Sequence, residues 1–141
     1  MGLEGAWQRG ALRLQGEYMF TEVDASDFDQ QFNYDGFYTQ ISYALTGERR
    51  KYDNGEFARI KPKSDRGAFE VFARYSEVDF RDSIAGDAIG AEASVFTLGA
   101  NAYVGKHIRM GVNYLKPEIA GDAVHNQTTG DALTLRFQLV F

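Results

Sequence analysis

The chain has 141 residues, 15 Lys and Arg against 20 Asp and Glu for a net charge of −5, 14% aromatics, 15 Gly, 2 Pro and no Cys. That length bounds it to one domain or a piece of a larger one, and the missing cysteine excludes a disulfide framework or a thiolate metal site. No apolar run approaches the roughly 18 residues of a membrane helix, while abundant aromatics and glycine with scarce proline suit β-strands joined by turns.

The start, Met1 to Trp7, lacks the charged and apolar regions of a signal peptide, so the chain reads as cut at its N-terminus. Leu3, Gly5 and Trp7 alternate with Glu4, Ala6 and Gln8, and Arg9-Gly10 makes a tight turn. Leu12, Leu14, Gly16, Tyr18 and Phe20 then oppose Arg13, Gln15, Glu17, Met19 and Thr21. A polar, acidic loop is expected over 22–33. Phe37, Thr39, Ile41, Tyr43 and Leu45 form the third apolar face, and Phe69, Val71, Ala73 and Tyr75 the fourth, opposite Glu70, Phe72, Arg74 and Ser76. After a loop over 79–93, Phe96, Leu98, Ala100, Ala102 and Val104 face away from Thr97, Gly99, Asn101 and Tyr103. A short turn at 105–107 leads into Ile108, Met110, Val112 and Tyr114, opposite Arg109, Gly111 and Asn113. A loop over 116–130 precedes the last strand, where Leu133, Leu135, Phe137, Leu139 and Phe141 oppose Thr134, Arg136, Gln138 and Val140. Side chains alternate faces along a strand, so these seven period-two segments predict seven half-apolar strands and no helix.

The final run is about as long as the roughly 9–11 residues that a tilted strand needs to cross a bilayer. With the C-terminus on the periplasmic side, the short turns fall inside and the loops 22–33, 79–93 and 116–130 fall outside, as in outer-membrane barrels. The same polarity puts Tyr18, Phe20, Phe37, Tyr75 and Tyr114 near the outer rim and Trp7, Tyr43, Phe69 and Phe141 near the inner one. Two aromatic girdles favour a membrane barrel over a soluble β-domain.

One connector departs from this scheme. Residues 46–66 belong on the inner side yet carry Arg49, Arg50, Lys51, Arg59, Lys61, Lys63 and Arg66 against Glu48, Asp53, Glu56 and Asp65. Loops this long are commonly functional or disordered. The segment reads either as a solvated basic loop or as a stretch folded toward a pore mouth, adding positive potential there. On the strands, Arg13, Arg74, Arg109 and Arg136 share the face opposite the apolar stripe. An Arg pointing into lipid would cost roughly 2–4 kcal/mol at midplane. These four therefore line water as candidate anion-pathway residues, since a guanidinium presents a fork of donors matched to phosphate oxygens. The alternative is ordinary pairing with Glu17 and Glu70, which applies least to Arg109 and Arg136. Half of the 20 acids fall in the outer loops, so the net charge does not exclude an anion pore. His107 and His125 stand at no ligand or triad spacing, and nothing marks the chain as an enzyme or implies a cofactor or a nucleic-acid partner.

The segments Phe37-Tyr38-Thr39-Gln40-Ile41-Ser42-Tyr43, Leu45-Thr46-Gly47-Glu48-Arg49 and Arg59-Ile60-Lys61-Pro62 resemble the C-terminal part of the phosphate-selective porin O and P family. Gly67-Ala68-Phe69-Glu70, Ala73-Arg74-Tyr75-Ser76, Thr97-Leu98-Gly99-Ala100-Asn101 and Leu135-Arg136-Phe137-Gln138 continue the resemblance over nearly the whole chain. It implies an all-β fold, with residues 1–141 an open antiparallel meander from a barrel of about sixteen strands whose N-terminal half and signal peptide are absent. It further implies a trimeric, anion-selective porin of a Gram-negative outer membrane, passing phosphate or similar small anions and contacting lipid and lipopolysaccharide. The terminal stripe Phe137, Leu139 and Phe141 is similar to the signal read by the barrel-assembly machinery. The family's constricting loop and most of its phosphate contacts lie in the N-terminal half and match no stretch here. The residues alone also admit a structural or adhesive membrane barrel without a conducting pore, and less readily a soluble ligand-binding β-barrel.

Overall fold

The computed structural model describes residues 1–25, 30–53, 56–79, 92–120 and 130–139. The nine strands are β1 (Gly2–Arg9), β2 (Leu12–Ala25), β3 (Gln30–Ala44), β4 (Tyr52–Asp53), β5 (Glu56–Phe57), β6 (Ala68–Asp79), β7 (Glu92–Val104), β8 (Ile108–Ala120) and β9 (Ala132–Leu139). Seven of them form one sheet in the order β1-β2-β3-β6-β7-β8-β9, every neighbour antiparallel, and β4 pairs only with β5. No helix occurs among the described residues. β1 and β9 are edges, so the sheet is not closed.

Alternation decides which face is which. One face is an apolar surface on which Leu3, Trp7, Leu14, Ile41, Phe69, Leu98, Val112, Leu135 and Phe137 stand exposed. A soluble sandwich would bury such a face against a second sheet. Leu135 is 82% exposed and Phe137 64%, so no second sheet covers this face among the described residues. The other face curves around a cavity of about 850 Å³ lined mostly by polar side chains. At the long-loop end of the apolar face, Tyr75 donates its hydroxyl to Glu77 (2.6 Å) and Tyr114 donates to Asp131 (2.6 Å). Lys116 pairs there with Glu118 (3.1 Å). These contacts mark where apolar surface gives way to polar surface, the position that tyrosine's apolar body and polar tip suit.

The register shows the tilt that a barrel wall requires. A single cross-strand row runs Trp7, Leu14, Ile41, Ala73, Leu98, Tyr114, Leu133. It starts two residues from the short-turn end of β1 (9 − 7) and finishes six from that end of β9 (139 − 133). Trp7 of one girdle and Tyr114 of the other thus share a row, because rows perpendicular to tilted strands climb across the sheet.

The expected bounds of all three long loops need correction: β6 reaches Asp79 and β7 begins at Glu92, within the expected loop 79–93. Residues 22–25 and 30–33 are strand, paired continuously from Glu22↔Asn33 to Ala25↔Gln30, where a loop was expected. β8 likewise continues through Lys116 to Ala120. Strands of 12 to 15 residues exceed what a bilayer needs, so their ends project beyond it and lose the apolar alternation while keeping their hydrogen bonds. The short turns match expectation, with Gly10 (φ 62°) and Gly105 (φ 56°) supplying the left-handed residues that tight hairpins need. Phe137 and Leu139 continue the apolar stripe; Phe141 and, of the expected loops, residues 26–29, 80–91 and 121–129 lie outside the described residues.

Candidate functional site

The connector 46–66 determines the site. It folds back onto the concave face at the short-turn end, and its small β4–β5 hairpin is closed by an edge-on contact of the Tyr52 and Phe57 rings at 5.0 Å. Ile60, at its far end, joins Ala44, Ala68 and Tyr103 in the buried cluster of the described residues. Gln8 holds the connector's near end with both amide atoms: Nε2 donates to the Arg50 carbonyl (3.1 Å) and Oε1 accepts from the Arg50 N–H (3.3 Å). Arg59 ties the far end to the β7–β8 turn, donating to the Lys106 carbonyl (2.6 Å) and the Ile108 carbonyl (2.5 Å). Lys63 donates to the Gly47 carbonyl (2.9 Å).

Glu48 anchors the base. Its carboxylate accepts from the Thr46 hydroxyl and from the Lys63 N–H (3.4 Å). Burial pushes its carboxyl up, but the Thr46 hydroxyl, the backbone N–H groups of Glu48 and Lys63 and the Lys63 ammonium together hold it below the ordinary value. Those donors favour the charged form and outweigh desolvation.

Glu70 is the hub of the concave face. This β6 carboxylate is 4% exposed and accepts from Arg50 Nη2 (2.9 and 2.7 Å), Arg13 Nη2 (3.4 Å), the Tyr103 hydroxyl (2.9 Å) and Asn101 Nδ2 (3.2 Å). Arg50 also donates to the Tyr103 hydroxyl (2.7 Å). Asn101 passes the network on, its Oδ1 accepting from Arg109 Nε (3.4 Å) and Nη2 (3.2 Å). The guanidinium carbons of Arg50, Arg59 and Arg109 lie 5.8, 5.7 and 5.5 Å from the Tyr103 ring centroid, and Arg13 lies over Phe57 at 4.9 Å. Such rings attract cations without cancelling their charge. The Nε–H groups of Arg13, Arg50 and Arg59 are buried without a partner among the described residues.

Arg13, Arg74, Arg109 and Arg136 all line the cavity, as their strand parity requires. Arg13, 6% exposed, pairs with Glu70 rather than with Glu17. Arg74 instead lies on the Tyr38 ring at 3.9 Å. Among the described residues Arg109 reaches only the neutral Asn101 and Tyr103, and Arg136 stands exposed on the edge strand. Of the connector cations, Arg50 lines the cavity and Arg59 is half-buried beside it. Arg49, Lys51, Lys61, Lys63 and Arg66 are exposed. The segment is therefore neither a free solvated loop nor a uniform source of positive charge. Sequence reasoning passed over Tyr103, Asn101 and Gln8. Their one signal was parity: each is a hydrogen-bonding residue at the short-turn end of the polar face.

The cavity wall thus carries five guanidiniums (Arg13, Arg50, Arg74, Arg109, Arg136) against three carboxylates (Glu4, Glu17, Glu70). Glu4 and Glu17 sit directly opposite each other across β1 and β2, away from the Glu70 cluster. The arrangement can attract and coordinate a small anion; among the described residues it offers no cluster able to hold a metal.

A family model described as phosphate-selective porin O and P matches residues 1–141. Among curated proteins, Porin O of Pseudomonas aeruginosa is 33% identical over 153 residues, covering 99% of this chain and 34% of the relative. The chain therefore spans about a third of the length of the curated relative it matches.

Proposed function

We propose, from the premise that this chain belongs to the phosphate-selective porin O and P family, that it forms one wall of a channel for passive diffusion of small anions. Its place is the outer membrane of a Gram-negative bacterium. The observation that carries the reading is the surplus of guanidiniums on the cavity wall, five against three carboxylates. Fixed cations facing water in a lumen with low-dielectric walls raise the local concentration of anions and repel cations. Phosphate-like oxyanions fit best, because each guanidinium offers paired N–H donors to two oxygens.

The remaining barrel, of about sixteen strands in all, would come from sequence beyond the chain, with residues 1–141 as its C-terminal part. Partners follow from the same reading: bilayer lipid and lipopolysaccharide on the apolar face, two further copies in a trimer, and the barrel-assembly machinery during insertion. The test is electrical. The complete porin in planar bilayers should give reversal potentials of an anion-selective channel in a KCl gradient, and added phosphate should lower the chloride current. Cation selectivity, or no discrete channels, would overturn the reading.

A further inference from the structure

The cluster at the short-turn end is not simply positive. Three cavity-lining cations, Arg13, Arg50 and Arg109, converge with a single carboxylate, Glu70, for a net charge of +2 (3 − 1). Glu70 touches two of them directly and orients the third through Asn101. A carboxylate in an anion path looks counterproductive, since it repels what the path is meant to pass. Conduction, however, requires a site attractive enough to enter and weak enough to leave. Three converging guanidiniums would form a deep well for an anion if uncompensated.

We infer that Glu70 is a positioning residue that sets the depth of this well, so that anions are attracted to the Arg13–Arg50–Arg109 cluster without being trapped there. The inference rests on the anion-channel reading and deepens it. The carboxylate lies against the wall, 4% exposed, with both oxygens occupied by Arg, Tyr and Asn donors. It therefore lowers the field of the cluster and takes up one Nη of Arg13 and one of Arg50, leaving the anion the donors that face the cavity. It also fixes where the guanidinium forks point, including that of Arg50, which belongs to the connector rather than to the wall.

The test uses the complete porin and single-channel conductance as a function of phosphate concentration. Glu70→Gln keeps the shape, exchanges one acceptor oxygen for an NH2 group, and raises the cluster from +2 to +3. At the effective dielectric of a protein surface, one charge at such distances should make anion binding about tenfold tighter. The half-saturation concentration should fall by that factor and the maximal conductance should fall with it. The double variant Glu70→Gln, Arg50→Gln restores a net charge of +2 and should move both values back toward wild type. A purely structural role for Glu70 predicts no such recovery, because the double variant removes more of the seat. Unchanged saturation in Glu70→Gln, or a larger conductance from an unseated connector, would overturn the inference. A wild-type channel that fails to saturate with anions would instead overturn the functional reading beneath it, so the two failures are distinguishable.

Discussion

Arg109 and Arg136, like Arg74, have no carboxylate partner among the described residues. Arg109 is held there by a neutral amide and an aromatic ring, and Arg136 stands exposed on the edge strand. Replacing both with Ala in the complete porin should lower anion over cation permeability by about twofold or more, read from reversal potentials in a salt gradient. An unchanged ratio would place selection elsewhere in the pore. Glu48 makes a different prediction. Its folded pKa lies below the ordinary value, so its contribution to seating the connector is complete above the unfolded pKa of about 4.5 and is lost as pH falls through the folded value. Glu48→Ala should remove that contribution at neutral pH, about 1–3 kcal/mol for unmaking buried charged hydrogen bonds. Hydrogen exchange at the Lys63 amide measures both: protection should fall in acid for the wild type and be low already at pH 7 in the variant. Equal protection in the two proteins at pH 7 would refute it.

β6, β7 and β8 interlock through a missing side chain. The Phe72 ring lies over Gly99, where an added Cβ would come within 2.3 Å of the ring and 2.5 Å of Asn113 Oδ1. Gly99→Ala should therefore cost about 1–3 kcal/mol and push the ring into the cavity, and Phe72→Ala should relieve most of that cost. Additive effects in thermal unfolding of the four proteins would refute the coupling. This level also shows what the sequence made legible. Wherever a strand meets lipid on one side and water on the other, period two identifies the strand and the face, so Arg13, Arg74, Arg109 and Arg136 could be assigned to the polar side. Beyond the bilayer, a strand has no lipid to demand an apolar face. Glu22–Ala25 and Gln30–Asn33 kept their hydrogen bonds but lost the pattern, and so read as loop. The connector was illegible for another reason. The Arg50–Glu70 contact joins an irregular segment to a strand twenty residues on, and no periodicity encodes such a pairing.

At the scale of the whole molecule, parity matters. β1 and β9 are first and seventh in an antiparallel meander, so both run toward the short-turn end. Joining them would create a parallel seam, whereas bacterial barrels close with even numbers of antiparallel strands. Pairing equal edges of two copies does no better, since the two-fold axis would lie in the membrane plane and invert one copy. The 141-residue chain refolded into liposomes should thus give no discrete anion-selective channels, its edge N–H and C=O groups finding no partner in lipid. Such channels recorded from monomers would refute this. The connector, finally, occupies only one end of the concave face. In the proposed channel an ion driven one way would meet that charged end first; driven the other way, it would meet it last, so the path would act as an electrical diode in miniature. Uniformly oriented insertions in symmetrical salt should give a bent current–voltage curve that straightens when Gln8→Ala and Arg59→Ala release the connector.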